Sequence, residues 1–176
     1  MQIKTTALPI FINSVAKHPE IKLEIIDIIK SGMTFSFRDS GISIANTDYH
    51  LSPTFFNMVG PKYWAVLLPI IREHMSGVVT ALGLTEWEIS KYWYQEYCRG
   101  DYQPWHTHPR TMLTNVYYLS LPKGSVKTTL SIAGVESEFE VNEGDIITMP
   151  SYIKHCSNLH QGDESKIVIA FNAEVW

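Results

Sequence analysis

The amino-acid sequence predicts a mainly β chain of α+β type, with helices from its first half packed on one face of a β-barrel or sandwich built by its second half. Two segments with apolar side chains at helical spacing, residues 21–30 and 62–82, precede Leu84. Beyond Leu84 the pattern changes to short runs rich in aromatic and β-branched residues. Pro122-Lys123-Gly124, Ala133-Gly134 and Glu143-Gly144 punctuate those runs as turns do. No linker composition separates the two parts, so residues 1–176 are expected to form a single domain, with 1–84 a helical part and 85–176 the β core.

The first helix, over residues 21–30 (IKLEIIDIIK), stops at Ser31-Gly32. Residues 35–53 are polar and turn-rich and are expected to form a loop or short strands. The second helix follows Pro61 and ends before Gly83, the usual proline-start, glycine-end asymmetry, and Pro69 is expected to kink or divide it. Strands are expected over residues 87–97, 111–121, 126–132, 138–141, 145–149 and 165–172.

The composition narrows the function classes. The 176 residues are 45% hydrophobic and 18% charged, which fits a globular chain with a sizeable core. A formal net charge of -4 and the lack of a basic run argue against strong non-specific nucleic-acid binding. Two cysteines, Cys98 and Cys156, make no disulfide framework and fit a reducing compartment. With no signal-peptide pattern and no run of roughly 18 apolar residues, a soluble cytoplasmic protein is expected, without a membrane partner. The C-terminal Trp176 offers a surface for a homo-oligomer.

The chemistry concentrates in two segments. In Gly100-Asp101-Tyr102-Gln103-Pro104-Trp105-His106-Thr107-His108-Pro109, two histidines stand at i and i+2. On an extended chain both face one side, with Cα atoms about 6.5–7 Å apart, so their rings can converge on one ion. Taken alone, the pair reads equally well as two polar loop histidines. The second segment, from Gly144-Asp145 through Met149-Pro150 to His155, is a turn, an apolar strand, a proline and a histidine delivered to a barrel mouth. Asp145 is expected to shape its turn rather than bind a metal. His160, in the polar run 160–165, reads as an exposed loop residue. His18, His50 and His74 read as structural.

At these residues the chain resembles the iron(II)/2-oxoglutarate-dependent oxygenase superfamily, over residues 93–172. Residues 93–102 followed by His106-Thr107-His108 look like the prolyl-hydroxylase-type strand, glycine turn, tyrosine and metal pair. Residues 144–155 look like the distal-histidine segment, and residues 166–172 like the last strand, which normally begins with Arg or Lys. The resemblance implies a double-stranded β-helix (jelly roll) with the N-terminal helices on one face. It implies Fe(II) held by His106, His108 and His155, with 2-oxoglutarate and O₂ as co-substrates. Lys166 takes the position that binds the far carboxylate of 2-oxoglutarate, and Tyr102 that of a tyrosine helping to hold it. The family's usual pair is HxD or HxE; here His108 replaces the carboxylate. Val168 stands where a serine usually follows the basic residue.

The cupins are a second resemblance: Gly100 to His108 and Gly144, Pro150 and His155 match their two motifs, without the glutamate expected after HxH. They imply the same three-histidine site, with zinc or another divalent metal activating water and no 2-oxoglutarate. A non-catalytic jelly-roll binding module is the third alternative. The substrate is not encoded in any motif.

Overall fold

The structure, a computed structural model, describes residues 8–32, 35–36, 45–50 and 62–176. Among these the chain forms β1 (Phe11–Ser14), α1 (His18–Ser31), β2 (Phe35–Ser36), β3 (Asn46–Thr47), α2 (Lys62–Leu82), β4 (Trp87–Tyr97), β5 (Gln103–His106), β6 (Leu113–Ser120), β7 (Thr128–Ile132), β8 (Val135–Glu138), β9 (Asp145–Pro150), β10 (Lys154–Ser157) and β11 (Lys166–Val175). The strands make two antiparallel sheets. The larger has the order β1-β9-β6-β11-β4-β3-β2, and the smaller β5-β10-β7-β8.

Helix α1 begins three residues before the expected start. Pro19 occupies its first turn, where a missing N–H costs nothing, and Glu20 and Lys30 sit at the ends that favour their charges. Helix α2 spans the expected residues and continues through Pro69. By length and composition alone α2 is apolar enough to cross a membrane. Its Tyr63, Leu67, Ile71, Met75 and Val79 instead share one core with Ile25 and Ile29 of α1 and the inner side chains of the large sheet.

The period-2 alternation of the central strands sorts side chains between two faces. On β11, Ile167, Ile169, Phe171, Ala173 and Val175 join the helix-side core. Lys166, Val168 and Ala170 line a cavity on the opposite face. On β4, Tyr94 faces the helices while Trp93, Gln95 and Tyr97 line the cavity. Smaller apolar clusters, among them Leu130 of β7 with Met149 of β9, fill the space between the two sheets.

Two short strands, β1 and β10, are not expected from the sequence, β5 forms part of the extended segment expected around the HxH pair, and β8 lies earlier than the expected 138–141. Ala133 (φ 52°) and Gly134 (φ 81°) form a tight two-residue turn, which brings the return strand forward to Val135. Of the expected 35–53 segment, β2 and β3 are short strands; residues 37–44 and 51–53 lie outside the described residues. Gly144 has φ 90°, and a Cβ there would stand 2.9 Å from Cγ of His18, so α1 starts directly on this turn.

Candidate metal centre

Strand β10 runs between β5 and β7 in the small sheet, and His155 pairs directly with His106 of β5 and Leu130 of β7. The expected continuous extended stretch through His108 is not formed: β5 ends at His106. The chain then leaves the sheet, and the His108 N–H donates to the carbonyl of Ser151 at 3.0 Å. The three rings nevertheless converge. Their centroids are 4.3 Å (His106 to His155), 5.0 Å (His108 to His155) and 5.1 Å (His106 to His108) apart. One nitrogen from each lies within 4.8 Å of the others.

Each Nδ1 faces an oxygen acceptor. That of His106 lies 2.8 Å from the Pro104 carbonyl, that of His155 2.8 Å from the Ile153 carbonyl, and that of His108 2.8 Å from Asn172 Oδ1. A carbonyl oxygen can only accept, so each ring carries its proton on Nδ1 and keeps the Nε2 lone pair. Nε2 of His108 is buried with no hydrogen-bond partner among the described residues. Burial, together with the neighbouring His106, lowers His108 to about 4 and His155 to about 3. Burial lowers His106 as well. All three are neutral at pH 7, as metal ligands must be.

Lys166 lines the same cavity, which encloses about 430 Å³ including its mouth. The side chain is 1% exposed, and Nζ donates to Val126 O at 3.0 Å and to Ser157 Oγ at 2.5 Å. Nζ also lies 4.3 Å from the centre of the Tyr97 ring. Among the described residues no carboxylate is within ion-pair range of it. Burial lowers Lys166 to about 7. A buried ammonium whose hydrogen bonds, among the described residues, go to neutral oxygens suits the arrival of an anion.

Tyr102 is half-buried and is not among the cavity-lining residues; Tyr97 is the tyrosine there. His160 is not an exposed loop residue as expected but 0% exposed. Its backbone exchanges 2.8 Å hydrogen bonds with Gly100 and Asp101, and its Nε2–H donates to Glu164 O at 2.8 Å, which folds the polar loop around it. His18 bonds to Tyr117 Oη and His74 to Thr148 Oγ1, each at 2.6 Å. His50 is exposed beside Tyr49. The Asp145 carboxylate accepts from the Asn142 N–H at 2.7 Å and the Ser14 hydroxyl at 2.6 Å, a turn-shaping role. The sequence reading missed Asn172, Ser157 and Trp93, whose ring stacks 5.6 Å from that of His108. A period-2 reading of the last strand would have put Asn172 on the same face as Lys166.

No family model matches this chain, and no curated protein matches it in sequence. Solved structures do. A Pseudomonas putida prolyl-4-hydroxylase superimposes with a TM-score of 0.68 at 14% identity, covering 95% of this chain and 92% of the other. The collagen prolyl hydroxylase of Paramecium bursaria Chlorella virus-1, solved with 2-oxoglutarate, gives 0.65 at 12% identity, with 93% and 94% covered. In fold, the chain resembles the 2-oxoglutarate- and iron(II)-dependent oxygenases. HygX of Streptomyces hygroscopicus, solved with nickel and 2-oxoglutarate, extends the resemblance at a TM-score of 0.64 and 10% identity, over 95% of this chain and 83% of that one. The chain offers three neutral nitrogen donors. The convergent rings and the partnerless Nε2 of His108 fit a divalent metal of the kind imidazole binds.

Proposed function

We propose that this protein is an iron(II)- and 2-oxoglutarate-dependent oxygenase, with its metal held by His106, His108 and His155 and the far carboxylate of 2-oxoglutarate received by Lys166. The observation that carries the reading is that three convergent neutral imidazoles and one buried lysine share a single cavity. The two sheets then correspond to the major and minor sheets of a double-stranded β-helix, with the site between them. When bound, iron(II) with 2-oxoglutarate and O₂ supplies the oxidation of the substrate.

The chain's own residues do the rest. Their backbone and amide acceptors hold the three rings with Nε2 presented, so metal binding needs no proton release at neutral pH. Lys166 is balanced between ammonium and amine near neutrality, and an approaching carboxylate selects the ammonium. Ser157 keeps Nζ in place, and Tyr97 covers it with an aromatic face. Val116, Val168 and Ala170 give the cavity apolar walls that limit water there.

The test is anaerobic: Fe(II)-loaded protein is titrated with 2-oxoglutarate in the visible region. A weak charge-transfer band that appears with the keto acid, is absent in His155→Ala and needs more 2-oxoglutarate in Lys166→Ala, is expected. Tight metal binding without such a band sinks the co-substrate assignment. It would favour the second reading, a cupin-like zinc enzyme, for which the all-nitrogen donor set is the supporting observation.

A further inference from the structure

The three histidines are not held in the same way. His106 and His155 each donate Nδ1–H to the carbonyl two residues earlier in their own chain, Pro104 and Ile153. Their ring orientation follows from the extended backbone of β5 and β10. His108 stands beyond the end of β5, and its Nδ1 reaches a side chain 64 residues away, Asn172 on β11, at 2.8 Å. One amide therefore does for His108 what the backbone does for the other two.

We infer that Asn172 is the positioning residue that makes His108 a metal ligand: its amide oxygen holds the His108 proton on Nδ1 and so leaves Nε2 free to coordinate. This rests on the metal-site part of the proposed function. Thr114 shows why an acceptor is needed. It is the cross-strand partner of Asn172, and its hydroxyl lies 3.4 Å from the same Nδ1. A hydroxyl can donate as well as accept. Without the Asn172 oxygen, the Thr114 hydroxyl can donate to Nδ1, which moves the ring proton to Nε2 and blocks coordination. Trp93 fixes the ring plane by stacking at 22° but is indifferent to which nitrogen holds the proton.

The position of Asn172 follows from the alternation of β11, which puts it on the cavity face with Lys166, Val168 and Ala170 and in regular register opposite Thr114 of β6. A carboxylate ligand, the residue that His108 replaces in the oxygenase pattern, has no tautomer to set. An imidazole does, and an uncharged amide sets it without burying a charge beside the site.

The experiment uses metal-free full-length protein, with nitrogen-15 spectra of the histidines, and Co(II) titrations followed by its visible absorption. In wild type the His108 ring is expected in the Nδ1–H form. Asn172→Ala should lose that form and weaken Co(II) binding by about 10–100-fold, the range for a residue that orients a ligand. Asn172→Asp, which restores an acceptor, should recover both. In a His108→Ala background, Asn172→Ala should cause no further loss of Co(II) affinity. An Asn172→Ala protein that keeps the wild-type tautomer, an Asp variant as weak as the Ala variant, or an equal loss in the His108→Ala background would each overturn the inference. The tautomer readout needs no metal, and the Co(II) readout needs no 2-oxoglutarate. Failure of the oxygenase reading is thereby separate from failure of this one.

Discussion

The two faces of the large sheet both bury histidines, and they use them in opposite ways. On the helix side, His74 is 5% exposed, is lowered by burial to about 4, and bonds to Thr148, whose hydroxyl in turn donates to Asn115. On the cavity side, His155 is also 5% exposed and lowered to about 3. Burial and charge state do not distinguish them. What differs is what the rings face: the His74 Nε2–H donates to a strand hydroxyl, whereas His155 bonds a carbonyl through Nδ1 and converges with two other imidazoles. A neutral buried histidine becomes a candidate ligand where its free lone pair converges with those of other rings, and is structural where it stands alone.

The sharpest way to break this comparison is to remove one ring from each face. His155→Ala should reduce metal affinity beyond the roughly 10–100-fold expected of a merely supporting residue. It should also abolish the metal-induced rise in thermal stability, which for wild type amounts to about 2.7 kcal/mol at a metal concentration 100 times Kd. Calorimetric titration with Zn(II) and melting curves with and without metal check both.

Lys166 sharpens the contrast from the cavity side through pH. Its folded value of about 7 lies below the ordinary 10.5, so between these limits the unfolded chain binds the extra proton. Stability of the metal-free protein should therefore rise with pH across that window, with a slope approaching ~1.4 kcal/mol per pH unit from this group. Below pH 7 the full cost of the buried ammonium is present. Lys166→Met should flatten the slope in urea unfolding measured from pH 7 to 10. An unchanged slope would mean the ammonium finds an anionic partner.

His74→Ala should do the reverse of His155→Ala. Losing its partner leaves the Thr148–Asn115 pair short of one bond and should cost about 1–3 kcal/mol in urea unfolding, with Zn(II) affinity unchanged. The smallest effect is expected at the helix-side turn. Gly144→Ala forces a left-handed conformation and a contact with the His18 ring, costing roughly 1–2 kcal/mol by chemical denaturation. A change of metal affinity in either variant would show that the two faces are coupled.

How much of this was legible in the sequence differs by element. Helix α2 was readable to its ends because periodicity, Pro61 and Gly83 agree. The long central strands β4, β6 and β11 were readable because they carry enough residues to display alternation. The four-residue strands β1 and β10 were not, since they exist through their partners: Phe11 to Ser14 by pairing with β9, Lys154 to Ser157 by pairing with β5 and β7. The ligand candidates stood out as an HxH pair and a histidine after proline. Asn172 did not, because its meaning comes from a contact across 64 residues. His160 was misread because a polar run looks solvated until its backbone pairs with Gly100 and Asp101 are known.

The small sheet carries a consequence of its own. Its outer strand β8 is exposed at every residue, and β5 joins β10 only through the pairs His155–His106 and Ser157–Gln103, with an irregularity between them. Such a seam opens at low energetic cost and exchanges its amide protons early. A metal gripping both His106 and His155 would span that seam, so the ion would act as a clasp as well as a reagent. Amide protection should then grow in β5 and β10 on loading, while β4 and β11, zipped along most of their length, keep the protection they already have.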